Sequence, residues 1–195
     1  MNDFENILST MQIHGIRLPG PRIFVSLTDA RSVLRATMSG FLNMQGRLMQ
    51  WLPEYEEVAA WLGDNKGRGL FLFGDCGRGK SLLCRYVLPA ILLSHCHKVV
   101  SVFNMQEANS NLDEVLSKRI ISLDDVGTES VSIQFGRRRM AFAEIMDAAE
   151  KDNKLLIISS NLNADEIIRY YDTRVLDRLK ATTLRIPFQG HSLRA

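Results

Sequence analysis

The chain has 195 residues, 46% of them apolar and 24% charged, with a formal net charge of +2. That length and apolar share suit one globular domain of ordinary size. The near-balanced charge excludes a whole-protein basic field, so nucleic-acid contact would need a local patch.

The three cysteines, Cys76, Cys84 and Cys96, are odd in number and irregularly placed. They read as reduced thiols of a cytoplasmic protein, not as a disulfide framework. Asp3 and Glu5 argue against a signal peptide. The longest apolar run, residues 87–93, contains Pro89 and is too short to span a membrane. His95-Cys96-His97 has no second ligand pair at finger spacing, so no zinc site is expected.

In chain order, Phe4, Ile7, Leu8 and Met11 fit one helical face, closed by Gly15 and Pro19-Gly20-Pro21. Residues 22–27 could run extended. From Ala30 to Met49 an amphipathic, basic helix is expected, open to a break at Gly40 or Gly46. It either packs on the main domain or forms a docking arm for a partner. Residues 1–50 are therefore set apart as a short N-terminal packing or docking segment, and 51–195 as the main domain. Pro53 opens a clearer helix with acids in its first turn and Val58, Trp61 and Leu62 on one face.

From residue 69 the chain alternates. Strands are expected at 69–73, 98–104, 120–123, 155–160 and 183–187, the last at an edge because of Pro187. Helices are expected at 80–96 (kinked at Pro89), 136–150, 164–171 and 173–179, with a short helix or loop at 105–116. Continuous apolar strands alternating with helices predict a three-layer α/β/α fold around a parallel sheet.

The first strand runs into Gly74-Asp75-Cys76-Gly77-Arg78-Gly79-Lys80-Ser81, followed by Leu82 in a helix. This is G-x-x-x-x-G-K-[ST] in the strand–loop–helix setting that makes it a phosphate-binding P-loop. Its glycines let backbone N–H groups point inward, and the helix start adds free donors and a positive dipole end. Lys80 brings a charge to the outer phosphates, and Ser81 offers a hydroxyl to Mg²⁺.

A second half follows at strand ends, where α/β sheets bind ligands. Asp124 is the expected Mg²⁺ carboxylate, and Asp125 a candidate general base for an attacking water. Asn161 can orient that water without adding negative charge. Arg174 and Arg178 lie four apart on one helical face, suited either to phosphate or to plain solubility. Asp124-Asp125-Val126-Gly127 also fits the D-x-x-G pattern of GTPases. Asn153-Lys154-Leu155-Leu156, however, lacks the aspartate that would read guanine. The interval from Asn161 to Arg185 has little room for a kinase lid, and Gly-Lys-Ser excludes a Rossmann dehydrogenase.

The order of these motifs, with Leu-Asp-Asp-Val-Gly-Thr-Glu, Ile-Ile-Ser-Ser-Asn-Leu, Arg-Val-Leu-Asp-Arg-Leu and a terminal Gly-His-Ser-Leu-Arg, resembles the DnaC/IstB family of AAA+ ATPases over roughly residues 67–194. The resemblance implies a P-loop NTPase fold of AAA+ type without a C-terminal helical lid. It also implies Mg²⁺-dependent hydrolysis of ATP and nucleotide-dependent oligomers. Asn161 would be the first sensor, and Arg178, with Arg174, would reach a neighbour's ATP. DnaC-like members load a replicative helicase onto single-stranded DNA, and IstB-like members assist a transposase. A nucleotide-gated interaction protein with little turnover is a third reading. The interval 105–119 is short for the DNA-touching helices that such loaders carry. Lys118, Arg119, Arg137, Arg138 and Arg139 remain as basic candidates, the last three at an expected helix start.

Overall fold

The computed structural model describes residues 3–16, 18–128, 132–134 and 137–193, the side chains of 132–134 and 137–139 excepted. Its strands are β1 (Gly69–Gly74), β2 (Ser101–Asn104), β3 (Ile120–Val126), β4 (Ser132–Gln134), β5 (Arg137–Arg139), β6 (Leu155–Ser160) and β7 (Thr183–Phe188). Five of them form one sheet in the order β2-β3-β6-β1-β7, every pairing parallel. Among the described residues β7 pairs only with β1, which suits Pro187 because an edge strand can forgo one donor.

Successive side chains of a strand point to opposite faces, and the apolar strands therefore feed two cores. Leu70, Leu72, Leu155 and Ile157 face one core, with α2 (Ala30–Asn43), α3 (Pro53–Gly63) and α5 (Leu88–Cys96). Phe71, Leu156 and Ile158 face the other, with α6 (Met105–Ser110), α7 (Leu112–Ser117), α8 (Ala141–Asp152), α9 (Ala164–Tyr170) and α10 (Thr173–Thr182). The result is the expected three-layer α/β/α sandwich.

Several elements differ from expectation. α2 ends at Asn43, not Met49, and buries Ala30, Leu34 and Met38 in the first core. Residues 22–27 form no strand. They are pinned by Asn65, whose Oδ1 accepts from Val25 N–H at 2.8 Å and whose Nδ2 donates to the Ile23 carbonyl at 3.0 Å. α1 (Asp3–Ile13) forms as expected but buries no residue, and Phe4 and Ile7 are exposed.

The helix after the P-loop begins as α4 (Lys80–Leu82) and widens into a π-helical turn at Leu83–Val87 before continuing as α5. Leu88 N–H donates to the Leu83 carbonyl, five residues back. Pro89 cannot donate, and its ring crowds the preceding turn. A wider turn relieves that conflict without a sharp break.

The helix expected from residue 136 starts only at Ala141. Arg137–Arg139 instead pair antiparallel with Ser132–Gln134, giving a small two-stranded ribbon between β3 and α8. Three cations would oppose the dipole at a helix start, and an extended backbone avoids that conflict. Among the described residues no helix is long and apolar enough to cross a membrane.

Candidate nucleotide site

A cleft of about 900 Å³ opens at the C-terminal ends of β1, β3 and β6. Cys76, Gly77, Gly79, Lys80, Ser81 and Leu82 form its floor, and Asp125 and Asn161 its far wall. Gly77 and Gly79 have left-handed φ of 77° and 91°. A Cβ on Gly77 would collide with Ser192, and one on Gly79 would stand 2.7 Å from the Tyr55 hydroxyl. Side chains are thus excluded on two grounds, backbone and space. The Lys80 ammonium folds back onto the loop, donating to the carbonyls of Gly74 (2.8 Å) and Asp75 (2.7 Å). Burial pushes its pKa below the usual lysine value, opposed by the charges of Cys76, Asp125, Asp75 and Cys84.

The acidic pair sits at an irregularity of the sheet. β3 pairs with β6 in register up to Leu123, shifts, and resumes at Val126. Asp125 occupies the shift with φ of 57°, an unfavourable conformation for a non-glycine residue. Bulges of this kind re-aim a side chain, and strained residues gather at functional sites. Asp124 is 1% exposed, and its Oδ1 accepts a short hydrogen bond from Ser159 Oγ. The same Ser159 oxygen accepts from Asp125 N–H at 3.1 Å, so one hydroxyl orients both acids. Asp124 Oδ2 has no hydrogen-bond partner; Arg85 Nη1 stands 3.9 Å from it. Behind the acids lies Cys84, whose thiol pKa is pushed up by burial and then by the Asp124 carboxylate.

A buried carboxylate with an unpaired oxygen, a serine hydroxyl at the loop end and a backbone cradle fit a Mg²⁺–nucleotide. Among the described residues no group of three or more His, Cys, Asp or Glu side chains could hold a metal ion.

Other motif residues face elsewhere. The Arg78 side chain turns away from the cleft and pairs with Glu54 of α3, Nη2 to Oε1 at 2.6 Å, with both side chains 9% exposed. Asp75 uses its carboxylate to accept from Gly190 N–H at 2.7 Å, and its own N–H donates to the Phe188 carbonyl. Arg174 and Arg178 border a separate hollow on α10. Arg178 is held by Asp147 (2.8 Å) and Glu150 (3.0 Å) of α8, whereas Arg174 is exposed. Lys118 pairs with Glu114, and Arg119 donates to the Pro21 carbonyl. Both lie at the N-terminal end of β3, remote in the sheet from the P-loop end of β1. The side chains of Arg137, Arg138 and Arg139, and all of Glu129 and Arg194, lie outside the described residues.

Sequence reading gave no site role to Tyr55, Arg85, Ser159, Ser192 or Leu193, although the last three lie within the Ile-Ile-Ser-Ser-Asn-Leu and Gly-His-Ser-Leu-Arg motifs. Ser159 directly precedes Ser160-Asn161 at the end of an apolar strand, a polar cluster that could have drawn notice. Tyr55 sits on a helix before the P-loop and carries no local signal. Its hydroxyl, with a pKa raised by burial to about 12, donates to the Arg78 carbonyl at 2.9 Å.

No protein-family model and no curated protein matches the chain. Solved structures do. DnaI is similar at 20% identity and a TM-score of 0.54, over 87% of this chain and 96% of that one. The DnaC helicase loader is similar at 18% identity and 0.52, over 84% and 93%. AMPPCP-bound DnaA from Aquifex aeolicus is similar at 14% identity and 0.53, over 72% of this chain and 48% of that one. At these identities the likeness establishes the fold, which is the parallel P-loop α/β fold that the motif spacing predicts.

Proposed function

We propose that this protein binds ATP with Mg²⁺ and hydrolyses it, as an AAA+ switch of the helicase-loader kind in DNA replication. The observation that supports the ATPase reading is the meeting of the P-loop with Asp125 and Asn161 in one cleft, with the buried Asp124 next to Asp125 in the chain. The loader reading rests on the fold shared with DnaI and the DnaC helicase loader.

In this reading the loop N–H groups bind the phosphates, and Lys80 leaves the Gly74 and Asp75 carbonyls to pair with the outermost. Ser81 and Asp124 would hold Mg²⁺, which would neutralise phosphate charge. Asp125, aimed by the bulge, accepts a proton from the attacking water, and the Asn161 amide orients that water. Arg174 is exposed and able to meet a neighbouring copy; Arg178 must first leave Asp147 and Glu150. Residues 1–50 supply the partner contact through α1, which buries nothing in this chain.

Asp125→Asn is expected to retain ATP binding and lose turnover, read by equilibrium binding and phosphate release. Lys80→Ala should lose both. Equal turnover of Asp125→Asn and the native protein would defeat the assignment. For the partner, the full chain with ATP is expected to co-sediment with a hexameric replicative helicase. Co-sedimentation with a transposase instead would move the protein to the IstB kind.

A further inference from the structure

The terminal Gly190-His191-Ser192-Leu193 stretch enters the proposed chemistry nowhere, yet it is stitched to the P-loop. Leu193 N–H donates to the Gly77 carbonyl at 3.0 Å. From the other side Tyr55 O–H donates to the Arg78 carbonyl at 2.9 Å. A trans peptide is planar, with its C=O and N–H pointing in opposite directions. Fixing the carbonyls of Gly77 and Arg78 on Leu193 and Tyr55, which themselves border the cleft, therefore fixes the N–H groups of Arg78 and Gly79 in the opposite directions. Among the described residues Gly79 N–H donates to no protein acceptor.

We propose that Tyr55 and the 190–193 stretch are positioning elements of the nucleotide site, which lock two successive P-loop peptides in the phosphate-accepting orientation. This rests on the nucleotide reading above. The stretch is itself well anchored. Gly190 N–H donates to Asp75 Oδ2 at 2.7 Å, and Arg78 Nη1 donates to the His191 carbonyl at 3.2 Å. Arg47, in the segment after α2, donates to the Leu193 carbonyl at 2.6 Å. Ser192 packs so closely on Gly77 that no Cβ would fit between them. Without those two donors, either peptide could flip and present to phosphate a carbonyl oxygen, which repels it, in place of an N–H.

The test uses the full chain and Mg²⁺ with fluorescent ADP. Tyr55→Phe keeps the ring and deletes one donor. Asp75→Ala frees Gly190, whereas Asp75→Asn keeps an acceptor for it. One lost hydrogen bond corresponds to roughly three- to tenfold in affinity. Tyr55→Phe and Asp75→Ala are each expected to weaken ADP by about that factor, and Asp75→Asn to stay within about twofold of native. ADP should also slow hydrogen exchange at the Leu193 amide, a change that a purely structural tether would not show.

Native-like binding by both Tyr55→Phe and Asp75→Ala would overturn the proposal. So would an Asn variant as weak as Ala, or Leu193 exchange indifferent to ADP. If the native chain binds no nucleotide, the functional reading itself fails; if it does and the variants match it, only this inference falls.

Discussion

Replacing Glu54 tests how the P-loop is held. Glu54 Oε1 accepts from Arg78 Nε at 2.8 Å and Nη2 at 2.6 Å, and from Gln189 N–H at 3.2 Å. Both charged side chains are 9% exposed. Glu54→Ala strips the guanidinium of its counter-charge and leaves it, among the described residues, the His191 carbonyl as acceptor. Breaking a buried pair from one side costs about 3–5 kcal/mol. In a chain of this size that lowers Tm by about 6–20 °C.

The control pair joins α2 to the same α3 helix. Arg31 and Glu56 form an ion pair with side chains 65% and 46% exposed, and solvent screening should make breaking it nearly neutral. Glu54→Leu combined with Arg78→Met removes both charges, and should recover most of the loss because replacing a whole buried pair is often near neutral. The backbone groups released, at Gln189 and His191, belong to exposed residues and can turn to water. Thermal and urea unfolding of the four proteins decide the matter. A Glu54→Ala loss no larger than that of Arg31→Ala would refute the reasoning, as would a double variant no more stable than Glu54→Ala.

Lys80 predicts a pH effect of opposite sign on folding and binding. Its pKa is lowered from 10.5 by burial, so as pH rises towards 10.5 the folded protein releases the proton before the unfolded chain does. Nucleotide-free stability should rise through that window while ATP affinity falls, and calorimetry in two buffers should show proton uptake on binding; equal affinity across the window would exclude a charged Lys80 contact. Ser159→Ala leaves Asp124 Oδ1 and Asp125 N–H without their shared partner, and should cost about 1–3 kcal/mol in urea unfolding. It should also weaken Mn²⁺ binding in the nucleotide complex by about 10–100-fold. Leu34→Ala should lose about 2–5 kcal/mol because that side chain is fully buried. Deleting residues 1–16 should change stability by less than about 0.5 kcal/mol, since α1 buries nothing.

The phosphate loop, the strand ends that carry Asp124 and Asn161, and the three-layer order were legible in sequence because each depends on local pattern. A strand buried on both faces reads as an unbroken apolar run, as 155–160 does, and G-x-x-x-x-G-K-S states its backbone geometry in its glycines. Helix 53–63 declared itself through Pro53 and a first turn of acids. Where the signal was weak, pairings that residue type does not announce decided. Arg137–Arg139 pair with a partner strand, which composition does not encode, and Pro89 is met by a π turn whose cost is spread over five residues.

Tertiary structure alone shows which way each side chain of the motif turns. Arg78 occupies a loop position that reads as phosphate-binding, yet a glutamate 24 residues earlier draws its side chain away. Asp125 was legible as an acid at a strand end, but its aim comes from a register shift against β6. Tyr55, Ser159 and Leu193 approach the site from elements far along the chain. The sequence by itself determined which chemistry the loop can perform, because that follows from residue types at fixed spacing. The folded chain determined which groups face the cleft, because burial, peptide-plane orientation and ion pairing exist only once the layers have packed.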